Sequence, residues 1–400
     1  MGALGILAFA LAIAASIALH EAGHMFTARA FGMRVRRYFI GFGPTVWSTT
    51  KGHTEYGLAA LPFGGFCDIA GMTAMDPLTP EEEPHAMVNK PAWQRIAVLA
   101  GGIVMNLLIG VVIIYFVAIF SGIPNPDADF TPRVGKTVCV ADQVDAETLG
   151  ECSGAGPAGE AGVQVGDTLV ALNGQKVEQF GQLRDAVAKQ PGETVSLEVL
   201  RGGETVTLDV PVAAVERIDP ATGDHVTQGA VGIVSAPVTV KQYGPAEAVP
   251  ATLQFTGQML RATVDGIASF PAKIPGVVAS IFGAERDIEG PVSVIGASRT
   301  GGELVEQDMW SAFWMMLASL NFFLALFNLV PLPPLDGGHI AVVLYEKIRD
   351  ALRRLRGLGP GAPANYEKLM PLTYAMAALL LGVGVLVMAA DVVNPVRIFG

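Results

Sequence analysis

Long apolar segments dominate the hydrophobic pattern of this chain. A helix needs roughly 20 predominantly apolar residues to cross the hydrocarbon core of a bilayer. Segments of about that length lie at 1–30, 96–120, 310–330 and 371–390. A further apolar stretch near residue 340 is too short to cross alone, so we treat 310–345 as one transmembrane region. The pattern predicts a multi-pass α-helical membrane protein with about four transmembrane helices.

The loop at 31–95 contains a segment that is too apolar for an ordinary loop. Residues 54–59 alternate loosely between polar and apolar, and an apolar stretch with Gly64-Gly65 follows. This pattern predicts a β-hairpin at about 51–68 with a Gly-Gly turn. Our hypothesis is that the hairpin re-enters the membrane, where non-helical backbone is tolerated only when protein covers it or it lines a wet cavity.

Residues 133–212 have the pattern of a small β-rich domain. Asn173-Gly174 is a strong hairpin signal, and residues 195–199 and 206–210 alternate with period two. Residues 213–309 are predicted to be a linker with helical segments that Pro271 and Pro275 interrupt. These segments lie either along the outer membrane surface or in a soluble connecting helix, and the sequence leaves both open.

The composition agrees with a membrane protein. Apolar residues make up 51% of the chain and charged residues only 16%, against about a quarter in soluble proteins. The formal net charge of −11 makes nucleic acid an unsuitable partner. Residues 1–18 contain no Lys or Arg, so the basic region of a cleaved signal peptide is missing.

The distribution of basic residues predicts the topology. Short loops rich in Lys and Arg stay on the cytoplasmic side, which places 31–95 and 346–370 there. The long segment from Ser121 to Asp308 is richer in Asp and Glu and is predicted to be extracytoplasmic. The basic residues of the two loops are Arg29, Arg34, Arg36, Arg37, Lys51, Lys90 and Arg95, and Lys347, Arg349, Arg353, Arg354, Arg356 and Lys368.

A cluster of ionisable residues interrupts the first apolar segment. His20-Glu21-Ala22-Gly23-His24 is an H-E-x-x-H motif. Residues four apart lie on one face of a helix, so both imidazoles can reach one zinc ion. Glu21 is placed to act as a general base toward the water that zinc activates. Ionisable groups in membrane helices cost roughly 2.5–3.5 kcal/mol each and mark function, which makes a merely structural polar patch the weaker interpretation.

A catalytic zinc site needs a third protein ligand. Asp336 lies in an apolar segment that prolines and glycines interrupt, with no basic residue beside it. It is our preferred third ligand. An N-cap of the helix that starts near Gly337 is the alternative, because Asp is a favoured cap. His339 is a weaker candidate for the same ligand position.

Taken together, these motifs resemble the site-2 protease family of intramembrane zinc metalloproteases, and especially its bacterial RseP-type branch. The resemblance covers nearly the whole chain. The end motifs are highly specific in combination. The matching segments are His20 to His24, Gly41 to Pro44, Leu61 to Phe66, Gly102 to Asn106, Gly290 to Val292, and the N-x-x-P-x-P-x-L-D-G-like element Asn328 to Gly338.

The resemblance implies roles for individual residues. His20, His24 and Asp336 would bind one zinc ion, with Glu21 as the general base. Asn328 would contact the substrate backbone. The segment that includes Gly64, Gly65 and Phe66 looks like the family's re-entrant hairpin, which we expect to bind an unwound substrate as an added strand.

The extracytoplasmic domain looks like an inserted PDZ domain of the bacterial, circularly permuted kind, through residues 160–167. Cys139 and Cys152 flank an insertion from about Ala141 to Ser153. Outside the membrane they could form a disulfide, but sequence alone leaves this open. Cys67, on the predicted cytoplasmic side, is expected to be reduced.

The implied function is regulated intramembrane proteolysis in the cell membrane, with the active site toward the cytoplasmic side. The implied substrates are single-pass membrane proteins, in bacteria usually anti-sigma factors, that a site-1 protease has already shortened. The alternatives are a membrane-anchored PDZ scaffold with a non-catalytic metal site, a metal transporter, and a metalloprotease whose motif lies outside the bilayer. The scaffold would need a missing metal ligand or base, and none is missing. No internal repeat supports the transporter, and the apolar run before His20 argues against a motif outside the bilayer.

Overall fold

A computed structural model describes residues 2–73, 75–125, 132–144, 149–177, 180–218, 225–236, 240–284, 286, 290–359, 361–362 and 364–396. Its helices are α1 (Gly2–Ala30), α2 (Ala92–Phe120), α3 (Gly156–Glu160), α4 (Phe180–Ala188), α5 (Pro245–Ile281), α6 (Val294–Glu306), α7 (Trp310–Asn328), α8 (Asp336–Leu355) and α9 (Met370–Val393). Its strands are β1 (Val35–Lys51), β2 (Thr54–Ile69), β3 (Ile123–Pro124), β4 (Val134–Thr137), β5 (Thr168–Leu172), β6 (Gln175–Lys176), β7 (Thr194–Arg201), β8 (Glu204–Pro211), β9 (Ala213–Ile218), β10 (His225–Ala230), β11 (Ile233–Ser235) and β12 (Val240–Lys241).

Within the described part of the chain, α1, α2, α7 and α9 are long and apolar enough to cross a membrane. Large apolar side chains on these helices are exposed, among them Leu11, Val112 and Leu381. Exposed apolar side chains over this length are what contact with lipid requires. The chain is therefore a multi-pass membrane protein.

The described residues form two compact units. The first consists of 1–122, 242–282 and 286–398, and the second is made mainly of 123–241. In the first unit α1 packs against α2 and α6, and α2 packs against α7. Helix α2 lies against the polar face of α1, where the backbone oxygen of Val98 bonds to His24.

The transmembrane region predicted at 310–345 consists of two helices, with the break at the prolines and glycines that interrupt the sequence. Helix α7 ends at Asn328, and α8 begins at Asp336. Between them the chain turns so tightly that a Cβ atom at Gly338 would lie 2.6 Å from the Pro333 nitrogen, and one at Gly337 would meet the carbonyl oxygens of Leu329 and Val330. Only glycine fits these two positions, which explains why the prolines are followed by a glycine pair.

The hairpin is longer than the sequence predicts, and its turn lies elsewhere. Strands β1 and β2 span 35–69 and meet at Gly52, whose φ is +65°. Both strands bend back, so that Phe39 lies opposite Phe66 on one side and Gly57 on the other. The predicted turn at Gly64-Gly65 was wrong. Pairing on both sides makes residues 37–40 a central strand, and their mixed polarity hid the first half of the hairpin.

The second unit holds a four-stranded sheet in the order β6-β5-β7-β8 with α4 packed on it. Asn173 and Gly174 form the expected turn with φ of +50° and +75°. Asp167 is buried and accepts hydrogen bonds from Arg201 at 2.6 and 2.8 Å. These bonds hold the pKa of the Asp167 carboxyl below its usual range.

The predicted linker at 213–309 is wrong in two respects, its first residues and the predicted interruption of its helix. Residues 213–241 contain β9 to β12 and belong to the second unit, where β11 pairs with β4. Helix α5 continues through Pro250, Pro271 and Pro275. Each proline removes one backbone hydrogen bond. Contacts of α5 with α2, α7 and α9 keep the helix continuous where local propensity predicted a break.

Candidate metal centre

Helix α1 places His20 and His24 one above the other on its buried face. Their Nε2 atoms are 3.2 Å apart, and both residues are buried. The Nδ1 atom of His24 donates a hydrogen bond to the backbone oxygen of Val98 on α2 at 2.8 Å. This bond fixes the tautomer of His24, because the proton on Nδ1 leaves the lone pair of Nε2 free to bind a metal.

The first residue of α8 approaches both imidazoles. The Oδ2 atom of Asp336 lies 3.3 Å from His20 Nε2 and 3.4 Å from His24 Nε2. Leu335 occupies the N-cap position of α8, with no side-chain capping bond. The side chain of Asp336 therefore faces the histidines and does not cap its own helix.

The three ligand atoms fit a zinc ion. Ligands held tetrahedrally about 2.0–2.1 Å from zinc lie about 3.3 Å from each other, and the three distances here are 3.2, 3.3 and 3.4 Å. Asp336 Oδ2 is buried and has no hydrogen-bond partner in the described part of the chain. A buried carboxylate oxygen without a partner is costly unless a cation compensates it. Two imidazole nitrogens and one carboxylate oxygen are a common catalytic zinc donor set.

His339 takes no part in this cluster. Among the described residues, the group able to hold a metal consists of His20, His24 and Asp336. The ring of His339 stacks on Tyr366, with centroids 6.1 Å apart. Tyr366 belongs to the loop between α8 and α9, so the ring of His339 faces that loop.

Glu21 lies beside the cluster and against the hairpin. A Cβ atom added to Gly65 would lie 2.9 Å from the backbone oxygen of Phe39 and 3.2 Å from Glu21 Cγ, so the strand at Gly65 lies directly against Glu21. The backbone N–H of Cys67 also interacts with the Glu21 carboxyl. The hairpin is held in place by Tyr38, whose hydroxyl donates to the backbone oxygen of Ala18 on α1 at 2.6 Å.

The other predicted substrate-binding residues have different surroundings. Gly64 adopts φ of +83° beneath the ring of Phe42. Phe66 stacks on Phe39 with ring centroids 5.4 Å apart. Asn328 is the last residue of α7, and its side chain makes no hydrogen bond in the described part of the chain. Gly65 is thus the member of this set that lies directly against Glu21.

Two features of the site were not predicted from the sequence. Gly102 on α2 lies so close to the histidines that a Cβ atom there would collide with the Nε2 atoms of both. Asn321 on α7 is fully buried and donates to Ser16 Oγ on α1 at 3.0 Å. An amide inside an apolar span was the available signal for Asn321, because such groups are costly in a membrane without a partner.

In the second unit, Cys139 and Cys152 form a disulfide with Cα atoms 5.9 Å apart. Cys67 is a free cysteine in the hairpin. The cysteine pair that the sequence left open is thus joined in the structure. It joins the residue two positions before Ala141 to the end of the insertion, just before α3.

Comparison with known proteins identifies the family. The model of Peptidase family M50 matches residues 8–358. The chain belongs to this family. It is 49% identical to the Zinc metalloprotease Rip1 of Mycolicibacterium smegmatis, with 100% of both chains covered. The Zinc metalloprotease Rip1 of Mycobacterium tuberculosis strain H37Rv is 45% identical, with 99% of this chain and 98% of that protein covered.

A more distant relative is the Regulator of sigma-E protease RseP of Salmonella typhimurium, 26% identical over 94% of this chain and 95% of that protein. A solved structure, the PDZ domain of the SdrC-like protein Lmo2051 from Listeria monocytogenes, is 17% identical and covers 25% of this chain and 87% of that one. The TM-score of this match is 0.16.

Family membership confirms the main functional prediction. The protein is an intramembrane zinc metalloprotease of the site-2 protease type, in the branch that includes RseP. The prediction of a zinc cofactor is also confirmed. A scaffold with a non-catalytic metal site is not favoured.

Proposed function

We propose that His20, His24 and Asp336 hold one zinc ion, and that the enzyme uses it to cut a peptide bond in or near the transmembrane segment of single-pass membrane proteins. The observation that carries the proposal is the convergence of three ligand atoms within 3.4 Å of each other. They converge inside apolar helices, with Glu21 beside them. Anti-sigma factors that a site-1 protease has already shortened are the proposed substrates.

Bound zinc would supply a Lewis acid that polarises the scissile carbonyl and makes water more acidic. Glu21 takes the proton of the attacking water and gives it to the leaving amine. The carboxyl group is oriented for this work by the backbone of Cys67 and by the close strand at Gly65. General acid–base groups of this kind typically contribute 10²–10⁴-fold to the rate.

The edge of the hairpin is the proposed binding place for the substrate backbone. Residues 65–69 have a strand partner on one side only in the described pairing, namely residues 35–40. A helical substrate must unwind before its amide can react, and an unwound segment can add to a free strand edge. The amide of Asn328, which has no partner in the described part of the chain, is available to hold the same backbone.

The hairpin is also proposed to re-enter the membrane. Its apolar part, residues 42–47 and 58–61, carries large apolar side chains that are 44–71% exposed. A water-exposed patch of this kind is unusual for a soluble loop. The exposed residues are Phe42, Val46, Trp47, Leu58 and Leu61.

The proposed orientation follows the basic loops. The positive-inside rule places the hairpin, α8 and the metal centre toward the cytoplasm, and the second unit outside the cell. There the second unit, which we propose to be a PDZ domain, would filter or tether substrates. The disulfide between Cys139 and Cys152 supports this side, because disulfides persist in oxidising compartments.

The test combines metal content with cleavage. Wild type in detergent is expected to contain about one zinc per chain and to cut a single-pass reporter. Asp336→Ala should lose most of the metal, since a catalytic zinc needs three protein ligands. Glu21→Gln should keep the metal and lose about 10²–10⁴-fold in cleavage rate. Full zinc content in Asp336→Ala would assign the third ligand elsewhere, and unchanged cleavage by Glu21→Gln would remove the proposed base.

A further inference from the structure

A polar cavity lies at the end of α1, separate from the proposed metal ligands. Its volume is about 400 Å³, and it opens between the last turn of α1, the turn of the hairpin and the loop before α2. None of the metal ligands or Glu21 lines it. Its lining contains no Asp or Glu, and it contains these five basic side chains: Arg29, Arg34, Lys51, His53 and His85.

The positive charges in the cavity are poorly compensated. Arg29 donates to the hydroxyl groups of Thr54 and Tyr56, which are neutral. Arg34 bonds to His53 Nδ1 at 2.9 Å, and its nearest carboxylate oxygen lies 4.0 Å away on Glu81, a side chain that is 84% exposed. An exposed pair at that distance contributes little.

The third cation, Lys51, is exposed and makes no ion pair in the described part of the chain. The cavity therefore combines three cationic side chains with hardly any opposing charge.

A neighbouring arginine outside the cavity does have carboxylate partners. Arg36 lies two residues from Arg34, but its guanidinium contacts Glu82 at 2.7 Å and Asp76 at 2.9 Å. These contacts lower the pKa of Glu82 to about 2, because the bound guanidinium favours the charged carboxylate. Carboxylates compensate the arginine outside the cavity, while the cations that line the cavity lack such partners.

Two simpler explanations account for only part of the pattern. A basic residue in the last turn of a helix interacts favourably with the helix dipole, which explains Arg29 alone. The positive-inside rule explains an excess of basic residues in the loop, but not their convergence on one cavity. The cations come from three separate segments of the chain, and side chains of one sign brought together without a counter-charge repel each other.

His53 adds an oriented N–H donor, and His85 is held in place by a backbone bond. His53 accepts the bond from Arg34 on Nδ1, so the neutral ring carries its proton on Nε2. His85 Nδ1 donates to the backbone oxygen of Gly32 at 2.8 Å, which fixes that ring at the rim. Guanidinium and ammonium groups with additional N–H donors are the groups that bind phosphate in proteins.

We propose that this cavity binds a phosphate group, carried either by an anionic lipid headgroup or by a free phosphate compound. A phosphate in the cavity contacts Arg29 at the end of α1 and Lys51 at the turn of the hairpin together. It would hold the hairpin, whose other end lies against Glu21, to the helix that carries the histidines. A volume of about 400 Å³ lies within the range of small-molecule sites and admits the phosphate with the group attached to it.

The experiment measures binding to the full chain in neutral detergent at constant ionic strength. The probes are inorganic phosphate and dihexanoyl phosphatidylglycerol, with dihexanoyl phosphatidylcholine as the reference lipid. Each cavity charge is expected to contribute about fivefold to the affinity, the effect of about 1 kcal/mol per basic side chain near anionic headgroups. Lys51→Gln should therefore weaken binding about fivefold, and Arg34→Gln/Lys51→Gln about twenty-fivefold.

The matched control is Lys347→Gln/Arg354→Gln, which removes the same charges from exposed positions on α8. Saturable binding of inorganic phosphate that the cavity variants weaken and the control does not would support a free phosphate compound. The same pattern with phosphatidylglycerol alone would support a lipid headgroup. Absence of saturable binding of both probes, or equal weakening in cavity and control variants, would overturn the proposal. Lys51→Gln keeps the test valid if the double variant fails to fold, because the Lys51 side chain makes no ion pair in the described part of the chain.

Discussion

At the scale of single residues, the metal centre depends on two residues of α2 that lie against the imidazoles. Val98 orients one imidazole through its backbone oxygen. Gly102 lies against both Nε2 atoms without a side chain. The H-E-x-x-H motif supplies two of the proposed ligands, and the close approach of α2 leaves room for their nitrogen atoms to meet one ion.

Gly102→Ala is expected to lower zinc content and cleavage together. Its methyl group would occupy the space of the His20 and His24 Nε2 atoms, and the buried backbone there has little room to shift. The measurement is zinc per chain after dialysis against a weak chelator. The control is Gly382→Ala on α9, where an added Cβ meets no heavy atom within 4 Å. Equal zinc content in the two variants would contradict this role of Gly102.

At the scale of elements, the hairpin and the broken third region show where local patterns are sufficient and where they fail. The four spans follow from apolar length alone, because a helix satisfies its own backbone in lipid. The hairpin is different, since its strands bend and pair on both sides. The partner of each residue then depends on contacts that are distant along the chain, so the turn was placed at Gly64-Gly65 when it lies at Gly52.

The apolar part of the hairpin, residues 42–47 and 58–61, is expected to be shielded from water in liposomes. In a Cys67→Ser background, Trp47→Cys should react with a membrane-impermeant maleimide about tenfold more slowly than His53→Cys. Trp47 belongs to the exposed apolar patch, which we expect lipid to cover, while His53 lies in the polar turn. Labelling is measured in liposomes whose cytoplasmic face is accessible. Equal labelling rates before and after detergent addition would contradict re-entry into the membrane.

At the scale of the whole molecule, the two units carry different features. The first unit carries the spans and the metal centre, and the second carries a sheet, α4 and the disulfide. A free cysteine beside Glu21 and a bonded pair in the second unit fit the proposed cytoplasmic position of the hairpin and extracytoplasmic position of the second unit. Disulfides persist outside the cytoplasm, and thiols persist inside it.

A thiol count on protein purified from membranes is expected to give one free thiol per chain. The chain has three cysteines, of which Cys139 and Cys152 are bonded and Cys67 is free. The protein is denatured without reductant, with alkylation during lysis, and the count should rise to three after reduction. A count of three before reduction would contradict both the bond in the cell and the extracytoplasmic position of the second unit.

The sequence by itself determined the features that depend on local composition and spacing. These are the apolar spans, the helical motif with His20, Glu21 and His24, and the turn at Asn173-Gly174, since each follows from the geometry of a few consecutive residues. The tertiary structure brings Asp336, and not His339, to the two imidazoles, and it leaves the N-cap of α8 without a side-chain bond. It also decided the pairing of the hairpin and gathered the cations of the cavity at the end of α1. These features join residues far apart in the chain, and their distances are fixed by helix packing, which no local pattern encodes.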